Sequence, residues 1–236
     1  DDAFSPQMAL RDRLFANHRG EVFAETLNSH PAQRELFALV LREVRASGAY
    51  QEEGAHLIRP DGIAIDAAQP PPLVAAARLI QEDIAILVRE GDAHVLAAAA
   101  IAFPASWTLS EKMGRPLSAI HQPVGRITSE MDRRIETLFD RLPPDRPVQR
   151  ANALAYNDPS LHQPRPERAP RAYDPTAQSF IRVERQTLRR LPASNAIAFT
   201  IHTSLVPFAS LAASEAEDVC NYLASIGALA PAARTG

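Results

Sequence analysis

Eleven consecutive residues, Arg182-Val183-Glu184-Arg185-Gln186-Thr187-Leu188-Arg189-Arg190-Leu191-Pro192, put four arginines and a glutamate just ahead of an apolar run, Ala196 to Ile201. Fixed charge beside a core must be partnered, because an unpaired buried charge is very costly. The partners are either one another or an anionic ligand. Strand alternation places Arg182, Glu184 and Gln186 on one face and Ile181, Val183 and Arg185 on the other. Two readings stand. In one, the polar face is solvated and its Arg182–Glu184 pair contributes well under about 1 kcal/mol. In the other, this strand binds something. Arg185 then sits on the face that should be apolar and offers its planar fork to a carboxylate.

The 236 residues are 46% hydrophobic, enough to bury one large core. A single domain over 1–236 is expected, with a helical N-terminal extension (1–50) and a C-terminal helix and tail (207–236). The net charge of -3 gives no electrostatic footprint for nucleic acid. One cysteine, Cys220, excludes a disulfide scaffold, a four-cysteine zinc site and a cysteine-ligated iron–sulfur cluster within this chain. It suits a reducing compartment. The longest apolar stretch, Val95 to Pro104, is half the length of a membrane helix. Asp1 opens no signal-peptide pattern, and a cytoplasmic location is expected.

Apolar periodicity predicts helices over Pro31–Ala46, Leu73–Leu79, Val124–Leu142 and Pro207–Ile226. The third is the strongest, with Ile127, Met131, Ile135, Leu138, Phe139 and Leu142 on one face. In the last, Leu211, Val219, Tyr222, Leu223 and Ile226 point inward. Strands are expected at Ile84–Val88 and His94–Phe103 about a Gly91-Asp92 turn, at Arg150–Tyr156, and as an antiparallel pair, Phe180–Gln186 with Ala196–Leu205. The alanine run 97–100 suits a helix as well. In the final strand Ile197, Phe199 and Ile201 face one way, and Thr200, His202 and Ser204 the other. The proline-rich segment from Pro159 to Pro175 is long for a neutral loop. The sum is α+β: an antiparallel sheet with helices packed around it.

Familiar nucleophile and nucleotide motifs are absent, and nine glycines leave little for phosphate-cradling loops. The seven histidines show no helical ligand spacing. His121 stands apart, in Ile120-His121-Gln122-Pro123-Val124. Pro123 disfavours helix just before it, so His121 is expected on an extended approach to the following helix. It is either a helix-entry histidine bonded to backbone or a ligand.

Several segments, taken in order, resemble one family. They are Glu82-Asp83, Phe103-Pro104-Ala105-Ser106-Trp107, Glu111-Lys112-Met113-Gly114-Arg115-Pro116-Leu117, Ile120-His121-Gln122-Pro123-Val124, Arg150-Ala151-Asn152 and the arginine-rich strand. Their order and spacing, over roughly residues 50 to 210, resemble the haem-dependent oxidative N-demethylases. The resemblance implies a PAS-like antiparallel sheet flanked by helices, with a non-covalent haem b held against it. It implies use of O2 to oxidise the N-methyl group of a small secondary or N-methylated amine such as dimethylamine, releasing formaldehyde. It implies electrons from NADPH through flavin and iron–sulfur centres. With one cysteine and no dinucleotide fingerprint here, that reductase must be a separate chain. His121 becomes the axial iron ligand, Glu184 and Arg182 the catalytic candidates. Arg185, Arg189, Arg182 or Arg190 would meet the haem propionates, and Lys112 and Trp107 would line the pocket.

The chain departs from the family pattern in three places. Gly125 follows Pro123-Val124 where proline is expected, Ala153 stands in place of a tryptophan, and His202 and Ser204 replace an arginine and a tyrosine. These changes leave a different amine metabolite open as substrate, and make His202 a second candidate ligand. A PAS-type haem sensor is the alternative from another functional class.

Overall fold

The computed structural model describes residues 3–68, 71–121, 129–169, 172–174 and 176–226, with Ser118, His121 and Ser129 described by backbone alone. The first helices are α1 (Phe4–Asn17), α2 (Arg19–Val22) and α3 (His30–Ala46). A three-residue strand, β1 (Phe23–Glu25), lies between α2 and α3. Three more short strands follow, β2 (Gln51–Glu53), β3 (His56–Ile58) and β4 (Ala64–Asp66), and then α4 (Pro72–Leu79). The remainder comprises β5 (Asp83–Glu90), β6 (Ala93–Ala100), α5 (Leu117–His121), α6 (Ser129–Arg141), β7 (Val148–Tyr156), β8 (Phe180–Arg190), β9 (Ile197–Pro207) and α7 (Ala213–Ser225).

The main sheet has six strands in the order β1-β6-β5-β9-β8-β7, every pair antiparallel. A separate three-stranded sheet runs β2-β3-β4. The fold is therefore α+β, as the periodicities predict. Strands β8 and β9 pair over their whole length, from Phe180↔Pro207 to Arg190↔Ile197. They extend past the predicted end at Gln186, because Thr187 to Arg190 find partners on β9. The intervening turn is closed by Asn195 at φ 58°, a left-handed conformation that asparagine tolerates.

The alanine run is a strand. Ala97 to Ala100 are at most 1% exposed, since β6 is paired on both edges and covered on both faces. Burial in a sheet outweighs alanine's helical preference. The ladder shifts register between Ile86 and Leu87, so Ala97 is the extra residue on β6. Its carbonyl accepts from Thr26 N at 2.8 Å.

Cross-strand partners share a face. The back face carries Ile84, Ile86, Ala98, Ala100 and Ala198, and packs in the largest core with Leu36 and Val40 of α3 and Leu73 and Leu79 of α4. Farther along the same face, Ile181 and Ala155 seat Leu223 of α7. The predicted inward Tyr222 is 38% exposed, because α7 covers only this corner of the sheet with Leu223, Val219 and Ile226. The front face carries Ala85, Leu87, Ala99, Ile197 and Phe199 under Leu109, Leu117, Ile135, Phe139 and Leu142. Met131 and Leu138, predicted on the inner stripe of α6, are 45% and 40% exposed. Ile127 lies outside the described residues.

The first fifty residues are tied into the fold. Strand β1 forms one edge of the sheet, and α1 reaches the other layers through polar side chains. Arg11, wholly buried, donates from Nη1 to Asp83 Oδ1 at 2.9 Å, and its guanidinium lies 4.7 Å from the Phe103 ring centroid. Asp83 also accepts from the backbone N–H groups of Ala102 and Phe103. A buried charge with this many partners is satisfied rather than stranded.

Candidate functional site

Arg182, Glu184 and Gln186 all face the front of the sheet, and all are buried, at 0%, 7% and 7% exposure. The solvated reading of this strand is thereby corrected. The burial follows from two loops that no strand pattern announces. The Arg182 guanidinium donates to the Leu161 carbonyl at 3.0 Å and to the Phe103 carbonyl, and stands 5.8 Å over the Tyr156 ring. Its Nε donates to Glu184 Oε1 at 3.1 Å. Gln186 Nε2 donates to the other carboxylate oxygen at 3.1 Å, and Arg150 Nε donates to Gln186 Oε1 at 2.8 Å. A polar chain thus runs from the rim at Arg150 to the buried Arg182.

Glu184 also lies in a cross-strand row, between Asn152 on β7 and Thr203 on β9. Asn152 Oδ1 and Thr203 Oγ1 are both buried without a hydrogen-bond partner among the described residues. Sequence reasoning gave neither a role, although Asn152 stands in the resembling segment Arg150-Ala151-Asn152. The available signal was Thr203 itself, a hydroxyl on the same strand face as Ile197, Phe199 and Ile201.

Beside this polar area is an apolar floor. Ala85, Ala99, Leu96, Ile101 and Leu109 form a buried cluster, with Trp107, Met113, Ile120 and Phe199 packed on it. A cavity of about 130 Å³ lined by Trp107, Leu109, Ile101 and Pro164 opens at its edge. Ser106, next to Trp107, adopts φ 64°, unusual for a non-glycine residue and held by its N–H bond to the Gln163 carbonyl at 3.1 Å. The proline-rich loop is therefore structural at this point. His162 Nδ1 also lies 2.7 Å from the Ala102 carbonyl.

His121 ends α5, a single helical turn rather than the predicted extended approach. The N–H groups of Ala119 and Ile120 bond the Pro116 carbonyl, and the restriction from Pro123 falls on Gln122, one residue later. Ile120 packs on the front-face floor, so α5 delivers His121 to that side of the sheet. Lys112, 6% exposed, donates from Nζ to the Ile120 carbonyl at 2.8 Å and to Glu167 Oε1 at 2.5 Å. It caps the end of α5 and ties it to the proline-rich loop.

The remaining candidates lie elsewhere. Arg185 is paired across the ladder with His202 on the back face, and its side chain is 53% exposed. Its Nη2 is 3.7 Å from Glu82 Oε1, while His202 Nδ1 is 3.6 Å from the same oxygen. Burial pushes the Glu82 carboxyl up, but His202, its own backbone N–H and Arg11 outweigh it, and the net shift is downward. Arg189 pairs with Ala198, also on the back face. Arg190 donates to the Asp140 carbonyl and Asn195 Oδ1, fixing α6 to the β8–β9 turn. The structure thus pairs Arg182 with Glu184 on the front side, where Trp107, Lys112 and the backbone of His121 also lie, and places Arg185, Arg189 and His202 on the other face.

Among the described residues, no group of three or more His, Cys, Asp or Glu side chains is placed to hold a metal ion. No helix there is long and apolar enough to cross a membrane.

The fold and this face define an α+β protein with an apolar floor edged by a buried polar row. The sequence model of one family, described as haem-dependent oxidative N-demethylase, alpha subunit-like, matches residues 1–230, and the chain belongs to that family. The match takes in the first fifty residues, which lie outside the resembling segments. No curated protein matches the chain.

Proposed function

We propose that this protein binds one non-covalent haem b on the front face, and uses O2 to N-demethylate a small secondary or N-methylated amine. The observation that carries the reading is the shared face. The end of α5 with His121, the apolar floor of Ala85, Ala99 and Phe199, and the buried Arg182–Glu184 pair all belong to one side of the sheet. The residues fit the group in kind: an apolar floor for a flat macrocycle and, at the end of α5, a histidine for its iron. The family name supports haem dependence and the reaction class.

Bound haem supplies the O2-activating chemistry. This chain's residues supply the rest. His121 would hold the haem iron, with Lys112 bonding the Ile120 carbonyl so that the end of α5 keeps its place. Trp107 and Met113 exclude water from the floor. Glu184, oriented by Arg182 and Gln186, accepts from the amine. One oxygen atom of O2 enters the N-methyl C–H bond and the other leaves as water, consuming two electrons and two protons. The resulting carbinolamine breaks its C–N bond to release formaldehyde and the demethylated amine. We read the electrons as coming from an NADPH, flavin and iron–sulfur reductase, whose centres residues 1–236, with one cysteine and no dinucleotide fingerprint, do not themselves hold. The words alpha subunit in the family description support a partner chain. We read residues 1–236 as a single cytoplasmic domain.

The test is an absorption spectrum of the purified protein, before and after haemin, then after dithionite and CO, followed by an amine-dependent formaldehyde assay. A stoichiometric Soret band that shifts with CO, and formaldehyde release with dimethylamine or a related amine, are expected. No band after reconstitution overturns the proposal.

A further inference from the structure

Resting on that reading, we propose that Asn152, Glu184 and Thr203 form the seat for the substrate nitrogen, and that the amine is recognised through its N–H bonds. The three residues are direct neighbours across β7, β8 and β9 and share the front face. Strands lie about 4.8 Å apart, so the row spans about 10 Å. Thr203 is 1% exposed, and among the described residues neither its Oγ1 nor Asn152 Oδ1 has a hydrogen-bond partner. Buried polar atoms nearly always find partners, and exceptions ask for one that binds. Each Glu184 oxygen takes a single N–H, from Arg182 and from Gln186, which leaves acceptor capacity on both. The row therefore asks for a small molecule rich in donors.

Aliphatic amines, like the lysine side chain, carry a proton at neutral pH. A protonated dimethylamine offers two N–H donors and a trimethylamine one. Ile201 and Phe199 continue the same face of β9, so the N-methyl groups have apolar surface beside the polar seat. Arg182 already shares the charge of Glu184. Discrimination consequently falls on the directed acceptors of Asn152 and Thr203 rather than on charge alone. A quaternary ammonium ion, equally charged and without N–H, is the probe that separates the two.

Calorimetric titration of the purified protein with dimethylammonium chloride and with tetramethylammonium chloride tests this. Dimethylammonium is expected to bind at least about tenfold tighter than tetramethylammonium. Thr203→Val and Asn152→Leu are each expected to weaken it by about tenfold or more, the scale of a hydrogen bond to a charged group. Without amine, Thr203→Val should melt no lower than the wild type, because it removes a hydroxyl that has no partner. Equal binding of the two ions, wild-type affinity in either variant, or no amine binding at all overturns the seat. A lower melting point of Thr203→Val with unchanged affinity does the same, and makes the hydroxyl a water-bonded structural group. The two proposals fail separately. A protein that releases formaldehyde yet ignores both substitutions loses the seat and keeps the demethylase reading. One that takes up no haem but discriminates the two ions and responds to both substitutions keeps the seat and loses the reading.

Discussion

The Arg182 guanidinium has no exposed surface and divides its N–H groups among Glu184 in its own strand, the Leu161 carbonyl and the Phe103 carbonyl. Removing it leaves one oxygen of a buried carboxylate and two carbonyls unmet at once, and the carboxylate's charge unpaired. Arg182→Leu should therefore lower stability by about 3–5 kcal/mol, measured by urea denaturation. A loss below about 1 kcal/mol would mean that the pair is solvated after all. Glu82 makes the opposite kind of prediction. Its folded pKa lies below its ordinary value of 4.5, so its contribution is complete above 4.5 and is lost as pH falls through the lower folded value. Glu82→Gln should destabilise at pH 7, with the gap to wild type closing below about 4.5. A gap that stays constant down to pH 3 would remove the electrostatic account. The Arg182–Glu184 pair was legible from alternation alone. Its burial was not, because the covering carbonyls come from residues some 80 and 20 positions upstream.

At the scale of elements, strand β6 shows what periodicity could and could not reveal. Its turn with β5 was legible in Gly91-Asp92, but four alanines carry no pattern that separates strand from helix. Their smallness is used in the sheet, where neither face leaves room for more. Ala98→Leu should cost about 1–3 kcal/mol by overpacking against the α3–α4 layer, read from the thermal or urea midpoint. Unchanged stability would indicate space that the packing does not show. Strands β1 to β4 escaped sequence reasoning because each is three residues long, too short for an alternating signal, and is defined only by its partner. The α5 turn escaped for a related reason: five residues held by Pro116 and capped by a lysine read as an extended lead-in.

Over the whole molecule, the sheet divides the chemistry-bearing residues into two sets. The front holds Glu184, Arg182, Thr203 and the approach of His121. The back holds Glu82, Arg185 and His202. This makes the choice between the two histidines a single experiment. Haemin at a hundredfold excess over Kd should stabilise the wild type and His202→Ala by about 2.7 kcal/mol, read as a higher melting temperature, and leave His121→Ala unmoved. The reverse pattern would assign the back face. The α+β architecture was legible in the sequence, as were its five long strands, two of their pairings and the family resemblance. The partition of the arginines was less so, since Arg185 was expected on an apolar face. Ile181 and Val183 do lie under α7, but Arg185 falls beyond the reach of that helix.

The two sets are closer than their opposite faces suggest. Glu184 and Arg185 are consecutive residues, and so are His202 and Thr203, so only one thickness of backbone stands between the clusters. Their backbones are one Cα step apart, about 3.8 Å, and the intervening medium is protein rather than water. The sheet is therefore not an insulating wall. A proton gained or an anion bound at the Glu82 edge is felt as a change of potential at the amine seat. The solvent-facing side of β8 and β9 is in this sense an electrical terminal of the buried one.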